Sequence, residues 1–228
     1  MELAKSSLFD AKSLYAAIAR SPQGRDLATM SLPEAKRREY VYNNRHLVSQ
    51  LEFDGPLPVV MPYNGPVNFQ TISFCERSKE VGFGQMVHFF LDDRRFRNLM
   101  WGKLEKTVPE LAKFEVVFAP DYSLWVDLPD FYNFESIFKN RVATAYMQKC
   151  GFSVIPVASF GNADSFRYCF HGLPQNSVIA VCGVGHLRGR ACDSLWHFAI
   201  RELERQVHPS LILVYGQEVE GLKMHSRG

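Results

Sequence analysis

Two unbroken apolar runs, Val154-Ile155-Pro156-Val157 and Val178-Ile179-Ala180-Val181, constrain this chain more than any other feature. Neither run alternates with polar residues. A strand with one wet face alternates at period two, so continuous runs belong to strands buried on both faces. That means a parallel sheet covered by helices. Parallel neighbours need a crossover, and the intervening segment, 163–170, has helical length. Residues 152–186 therefore read as a strand (152–158), a helix (163–170), a strand (177–182) and the small-residue turn Gly183-Val184-Gly185-His186.

The same alternation extends in both directions. Strands are expected at 57–61, 70–75, 85–91, 115–119 and 211–215, with helices at 94–99, 134–150 and 194–207. Gly151 closes the second of these helices, and Asp193 is placed to cap the third. Trp196, Ile200, Leu203 and Val207 form the third helix's buried stripe. Two further helices, 10–20 and 31–42, precede the first strand, the second opening on the capping box Ser31-Leu32-Pro33-Glu34. The expected fold is α/β, built of mostly parallel βα repeats as an incomplete or small (β/α) barrel with extra N-terminal helices. An open doubly wound sheet is the alternative. Residues 1–50 are read as a helical extension, 51–221 as the repeat domain and 222–228 as a tail.

Composition narrows the function classes. Hydrophobic residues make up 46% of the chain and charged residues 22%, enough for a full core. Net charge is 26 − 24 = +2, so no global field draws the chain to nucleic acid or membrane. The basic run Lys36-Arg37-Arg38 reads as a solvated face. No apolar run approaches the roughly 18 residues that span a bilayer, and the first residues lack the apolar core of a signal peptide. A cytoplasmic setting without membrane contact is expected. The five cysteines are odd in number and form no C-x-x-C pair, so they read as free thiols in a reducing compartment.

In a parallel βα fold, chemistry gathers at the carboxyl ends of the strands. Those ends carry Tyr63 and Asn64, then Asp92 and Asp93, Asp121 and Ser123, and Ser159. Gly183, Gly185 and His186 follow, and finally Tyr215 and Gly216. Asp93, Asp121 and Asp92 are the candidate catalytic groups, since two carboxylates from neighbouring strands suit acid–base work or a metal ion. Helix capping competes for Asp92 and Asp93, and an Asx turn for Asp121. Gly183-Val184-Gly185 opens the backbone to a phosphate or a base, but it is not the G-x-G-x-x-G fingerprint. His186 is either a general acid–base group or an ordinary loop histidine. Arg141, with Asn140 beside it in a helix, grips a phosphate or carboxylate if it faces the mouth, and is ordinary surface if it faces outward. The aromatic group Tyr122, Trp125, Phe131, Tyr132 and Phe134 reads first as a hydrophobic lid and second as a stacking surface for a base or sugar. P-loop, G-x-S-x-G and H-E-x-x-H patterns are absent from the sequence.

Several of these stretches occur together in a known order. They are 87–93 (Val-His-Phe-Phe-Leu-Asp-Asp), 119–125 (Ala-Pro-Asp-Tyr-Ser-Leu-Trp), Asn140-Arg141, 154–157, 165–174 and the ending Leu213-Val214-Tyr215-Gly216. Over 57–221 the chain resembles the domain of unknown function family numbered forty-four seventeen, found in bacteria and their phages and plasmids. That family usually has Trp where this chain has Phe160, and Asp where it has His171. The resemblance implies a mobile-element or prophage setting and implies no activity. At the level of fold, Val181-Cys182-Gly183-Val184-Gly185 and the Tyr215-Gly216 strand end are similar to the transglycosylase barrels that exchange a base in RNA or DNA.

Two functions remain in view. One is an enzyme acting on a nucleotide or nucleic-acid base through Asp93 and Asp121, with Gly183, Gly185 and Tyr215 shaping the pocket. The other is a non-enzymatic protein that binds a phage or host replication partner through its N-terminal helices and aromatic loop. Substrate, cofactor, metal requirement and oligomeric state are left open by the sequence.

Overall fold

Among the described residues, six parallel strands follow one another in the order in which the chain makes them. In the computed structural model, which describes residues 43–68, 70–79, 84–184 and 190–216, β3 (Gln70–Ser73), β4 (Gln85–His88), β5 (Val116–Phe118) and β6 (Val154–Ile155) form one parallel sheet in that sequence. β7 (Val178–Cys182) and β8 (Leu211–Tyr215) form a parallel pair, in register from Val178↔Leu211 to Cys182↔Tyr215. A parallel bridge at Val157↔Ala180 links the two groups. It is flanked by Ala158 N–H donating to the Ala180 carbonyl (2.9 Å) and Ala180 N–H donating to the Pro156 carbonyl (2.8 Å).

The unbroken apolar runs are explained by two cores that share the sheet. On β7, Val178 and Ala180 pack with Val87, Val117 and Ile155, whereas Ile179 and Val181 pack with Trp196, Ile200 and Leu203. Successive side chains point to opposite faces, so a strand between two apolar layers must be apolar at every position. The second layer is the stripe of the helix Arg190–Val207, in which Trp196, Ile200, Leu203 and Val207 are all buried as expected. Each such side chain contributes roughly 1.5–3 kcal/mol through burial.

The chain divides between Asn43 and Asn44, and every described strand and helix belongs to the second unit. The expected helices at 10–20 and 31–42 lie outside the described residues, as do Gly185, His186 and the tail. Helices α1 (Arg97–Met100), α2 (Leu104–Thr107), α3 (Asp130–Lys149) and α4 (Arg190–Val207) connect the strands. α3 ends in a Schellman motif. Gly151 takes φ +90°, Phe152 N–H reaches the Met147 carbonyl (3.1 Å) and Gly151 N–H reaches the Gln148 carbonyl (2.9 Å).

The structure departs from expectation in four places. The 57–61 strand is not in the parallel sheet. β2 (Leu57–Pro58) instead pairs antiparallel with β1 (Phe53–Asp54) across a turn at Gly55, because Pro58 and Pro62 lack the N–H groups that an interior strand needs. The 94–99 helix is broken into a 3-10 turn at Asp93–Arg95 and the short α1, because Phe96 leaves helical geometry (φ −134°) to pack on Phe89 and Tyr122. The 163–170 crossover is a 3-10 turn, Ala163–Arg167, and not an α-helix. The carbonyls of Cys169 and His171 accept from the buried Arg141 guanidinium there. Finally, α4 begins at Arg190, so Asp193 lies inside it and is not its N-cap.

Candidate active-site cleft

The loop that leaves β5 is held by side chains at almost every step. Asn140 Nδ2 donates to the Pro120 carbonyl (2.8 Å), and the Tyr122 hydroxyl donates to the Met100 carbonyl (3.1 Å). Asp93 accepts from both the N–H (3.1 Å) and the hydroxyl (2.9 Å) of Ser123, while Ser136 donates to the Ser123 carbonyl (3.0 Å). Trp125 is gripped twice by one amide: its N–H donates to Asn133 Oδ1 and its carbonyl accepts from Asn133 Nδ2, both at 2.7 Å. A surface loop ordinarily leaves many of these groups to water. Here α3, through Asn133, Ser136 and Asn140, fixes the loop against the strand ends.

That loop places Asp121 on a cleft of about 500 Å³, lined by residues that include Phe90, Tyr122, Trp125, Ser159, Phe160 and Cys182. The Ser159 hydroxyl, two residues beyond the bridge that follows β6, donates to Asp121 Oδ1 at 2.6 Å. Burial pushes the Asp121 carboxyl up from 3.8 to about 7, and the nearby charge of Asp93 adds to the rise while the Ser159 hydrogen bond opposes it. Asp121 thus changes charge near neutral pH, the property a general acid–base group needs. Cys182, at the end of β7, also lines the cleft, and burial drives its thiol up to about 12. It is a neutral thiol at neutral pH.

The other strand-end aspartates have different surroundings. Asp92 caps the 3-10 turn through Arg94 N–H (3.0 Å) and holds the Arg94 guanidinium at 2.9 and 2.7 Å. Arg94 keeps its carboxyl down near 2. Asp93 ties the loop after β4 to the loop after β5 through Ser123; burial raises its pKa, against the pull of those hydrogen bonds.

Several sequence candidates lie elsewhere. Tyr63 and Asn64 follow β2, which is outside the parallel sheet. The Tyr63 main chain meets Ser177 Oγ (2.9 Å) and Val178 N–H (2.8 Å) at the amino end of β7, and Asn64 accepts from Ser210. They stand at the end of the sheet opposite the cleft. Arg141 points neither to the mouth nor to solvent: it is fully buried, and its guanidinium donates to Asn140 Oδ1 and to the carbonyls of Val157, Cys169 and His171. Burial pushes it down to about 10, still charged at neutral pH. Gly183 N–H donates to the Tyr215 carbonyl (2.8 Å). Gly216, at φ +109°, leaves room for Val184, whose Cγ2 would lie 2.7 Å from an added Cβ. The Tyr215 ring packs on His88 and Phe90, each with centroids 4.7 Å apart. Gly185 and His186 lie outside the described residues.

The aromatic group does not close the cleft as a packed lid. Tyr122 is buried, but Trp125, Phe131 and Tyr132 are exposed, with Trp125 56% open. Sequence reasoning missed Asn133, Phe90 and Cys182. Asn133 looked like one more polar residue before a helix, and the other two sat inside apolar strand runs. Among the described residues no cluster of three or more His, Cys, Asp or Glu could hold a metal ion, and no helix is long and apolar enough to cross a membrane.

Comparison with known proteins places the chain in a family. The model of the family described as "Domain of unknown function (DUF4417)" matches residues 59–226, most of the chain, and the chain belongs to that family. The Gene 1 protein of Mycobacterium phage L5 is 34% identical over 134 residues, 59% of this chain and 58% of that protein. The Gene 1 protein of Mycobacterium phage D29 is 32% identical over 134 residues, 59% of this chain and 49% of that protein. The matched stretch therefore spans about half the length of these phage proteins, 58% of one and 49% of the other. No solved structure matches the chain.

Proposed function

We propose that this phage-type DUF4417 protein is an enzyme acting on a nucleotide or nucleic-acid base, with Asp121 as its acid–base group. The observation that carries the reading is one carboxyl with a pKa raised to about 7, set at the end of β5 on a cleft walled by aromatic rings. Protonated, Asp121 donates to a ring nitrogen or leaving oxygen of a bound substrate; ionised, it takes the proton back. Ser159 orients the carboxylate. Asp93 acts at one remove, holding Ser123 and raising the Asp121 pKa through its charge. Gly183 lies between the cleft-lining Cys182 and Val184, and the Tyr215 ring backs the cleft-lining Phe90.

The sheet in this reading is an incomplete (β/α) barrel. Its support is six parallel strands in sequential order, curled so that His88 of β4 and Phe90 beyond it touch Tyr215 of β8. Base-exchanging transglycosylase barrels share that layout of strand-end aspartates. The phage relatives support a mobile-element setting, and the reading takes the protein to work in the cytoplasm. The test is to incubate the full chain with nucleosides, nucleotides and short oligonucleotides and follow base release or exchange by mass spectrometry. Turnover with an inflection near pH 7, lost in Asp121→Asn, is expected; activity that survives Asp121→Asn sinks the assignment.

A second reading, a protein that binds a phage or host replication partner, is favoured by one observation: Trp125, Val126, Leu128, Phe131 and Tyr132 are all exposed within eight residues. Replacing Phe131 and Tyr132 by Ser would then abolish capture of that partner and leave cleft chemistry intact.

A further inference from the structure

We infer that Trp125 is a preset stacking platform and that the cleft takes a base or nucleoside in preference to its phosphate. This rests on the proposed function and narrows its substrate class. Three observations carry it.

The first is that Trp125 is open without being loose. The residue is 56% exposed although it lines the cleft, while Asn133, which grips its main-chain N–H and main-chain carbonyl, is fully buried. A ring carried on a fixed backbone has already lost part of the ordering entropy that binding would otherwise cost. The second is the shape and lining. Phe90, Tyr122 and Phe160 supply further rings, and the Tyr122 hydroxyl is engaged by Met100. A volume of about 500 Å³ lies in the ordinary range for a small-molecule site. Aromatic faces favour a flat ring, and Asp121 with Ser159 offers donors and acceptors to its edge.

The third is charge. The titratable groups that line the cleft are Asp92, Asp121, Tyr122 and Cys182, and no Lys, Arg or His lines it among the described residues. Arg94, the nearest cation in sequence, holds Asp92 through two contacts. A phosphate dianion set against this described lining meets the carboxyls of Asp92 and Asp121, and the nearby Arg94 cation is already held by Asp92, which is the reverse of a phosphate site. Asn133 is a positioning residue: it does not line the cleft and acts through the Trp125 main chain that it holds in place.

The test is calorimetric binding to the full chain of free adenine, adenosine and adenosine 5′-monophosphate, with the guanine and cytosine series beside them. At least one nucleoside is expected to bind about tenfold or more tightly than its monophosphate. Trp125→Ala is expected to weaken that nucleoside about tenfold, the effect of losing one stacked ring, and Trp125→Phe to recover most of it. Asn133→Ala, checked for folding by circular dichroism, is expected to raise KM while leaving kcat within about twofold. A monophosphate that binds more tightly than its nucleoside overturns this inference and leaves the enzyme reading standing. Unchanged nucleoside affinity in Trp125→Ala does the same. Absence of binding by every base, nucleoside and nucleotide overturns both.

Discussion

Asp121→Asn should make this protein more stable as pH rises, because the wild-type residue is held where its charge is costly. In the unfolded chain its carboxyl titrates near 3.8, and in the folded chain near 7. The folded state therefore binds more protons across that window, and the Asp121 contribution to stability is full below about 3.8 and is lost as pH rises through 7. Between about pH 5 and about pH 8.5 the linkage amounts to about 3 kcal/mol. Asn cannot ionise, yet it keeps the Oδ1 acceptor that the Ser159 hydroxyl uses. The other titrating groups are common to both proteins and cancel in the difference, apart from Asp93 and Cys182, which feel the Asp121 charge. For a chain of this size, about 3 kcal/mol corresponds to roughly 6–12 °C in Tm. Water in the cleft screens part of the cost, so the lower end is expected. The assay is thermal unfolding of both proteins at half-unit steps of pH. The Tm difference should widen as pH rises toward 7 and level off above it, with Asp121→Asn the more stable. Two parallel curves would show that Asp121 titrates as an ordinary carboxylate and would refute the reasoning. A residue that lowers stability where it stands is one retained for another purpose.

Three further predictions follow from the structure around the cleft. Arg141→Ala leaves the Asn140, Val157, Cys169 and His171 acceptors without their donor and should cost about 3 kcal/mol or more in denaturant unfolding. Arg141→Lys should not restore it, since one ammonium cannot reach the same fan of acceptors. Gly172→Ala places a Cβ 2.7 Å from the Pro58 carbonyl oxygen at φ +74° and should lower stability by about 2 kcal/mol or more; a neutral result would mean that the contact between β2 and the 163–172 turn is looser than described. Near pH 7, iodoacetamide should label the exposed Cys150 well before Cys182, whose thiol burial pushes up to about 12, and peptide mapping would read the order.

The strands were legible where their physics is local. The two apolar runs announced buried parallel strands, and 211–215 and the α4 stripe were read to the residue. Gln70–Ser73 proved to be the first strand of the sheet, whereas the 57–61 segment was misplaced because its apolar character outweighed the message of Pro58 and Pro62. The crossover at 163–170 had helical length, but a charge buried far away in α3 takes its carbonyls, and no local pattern reveals that. The carboxyl ends of β4, β5 and β7 pointed to the cleft because a parallel sheet gathers them. Which aspartate faces it was not legible. Asp92 and Asp93 are neighbours in sequence with opposite fates, one capping a turn and one tying two loops, and only long-range contacts to Ser123 separate them. Asn133 escaped notice for the same reason, since its partner Trp125 is defined by the loop's path and not by spacing.

The most direct measurement is a carboxyl carbon-13 NMR titration of the aspartates, with Asp121→Asn assigning the resonance. The account predicts a midpoint near 7 for Asp121, with Asp92 still ionised near pH 3. An Asp121 midpoint near 4 would contradict it, because the cleft would then hold an ordinary carboxylate and no acid–base group.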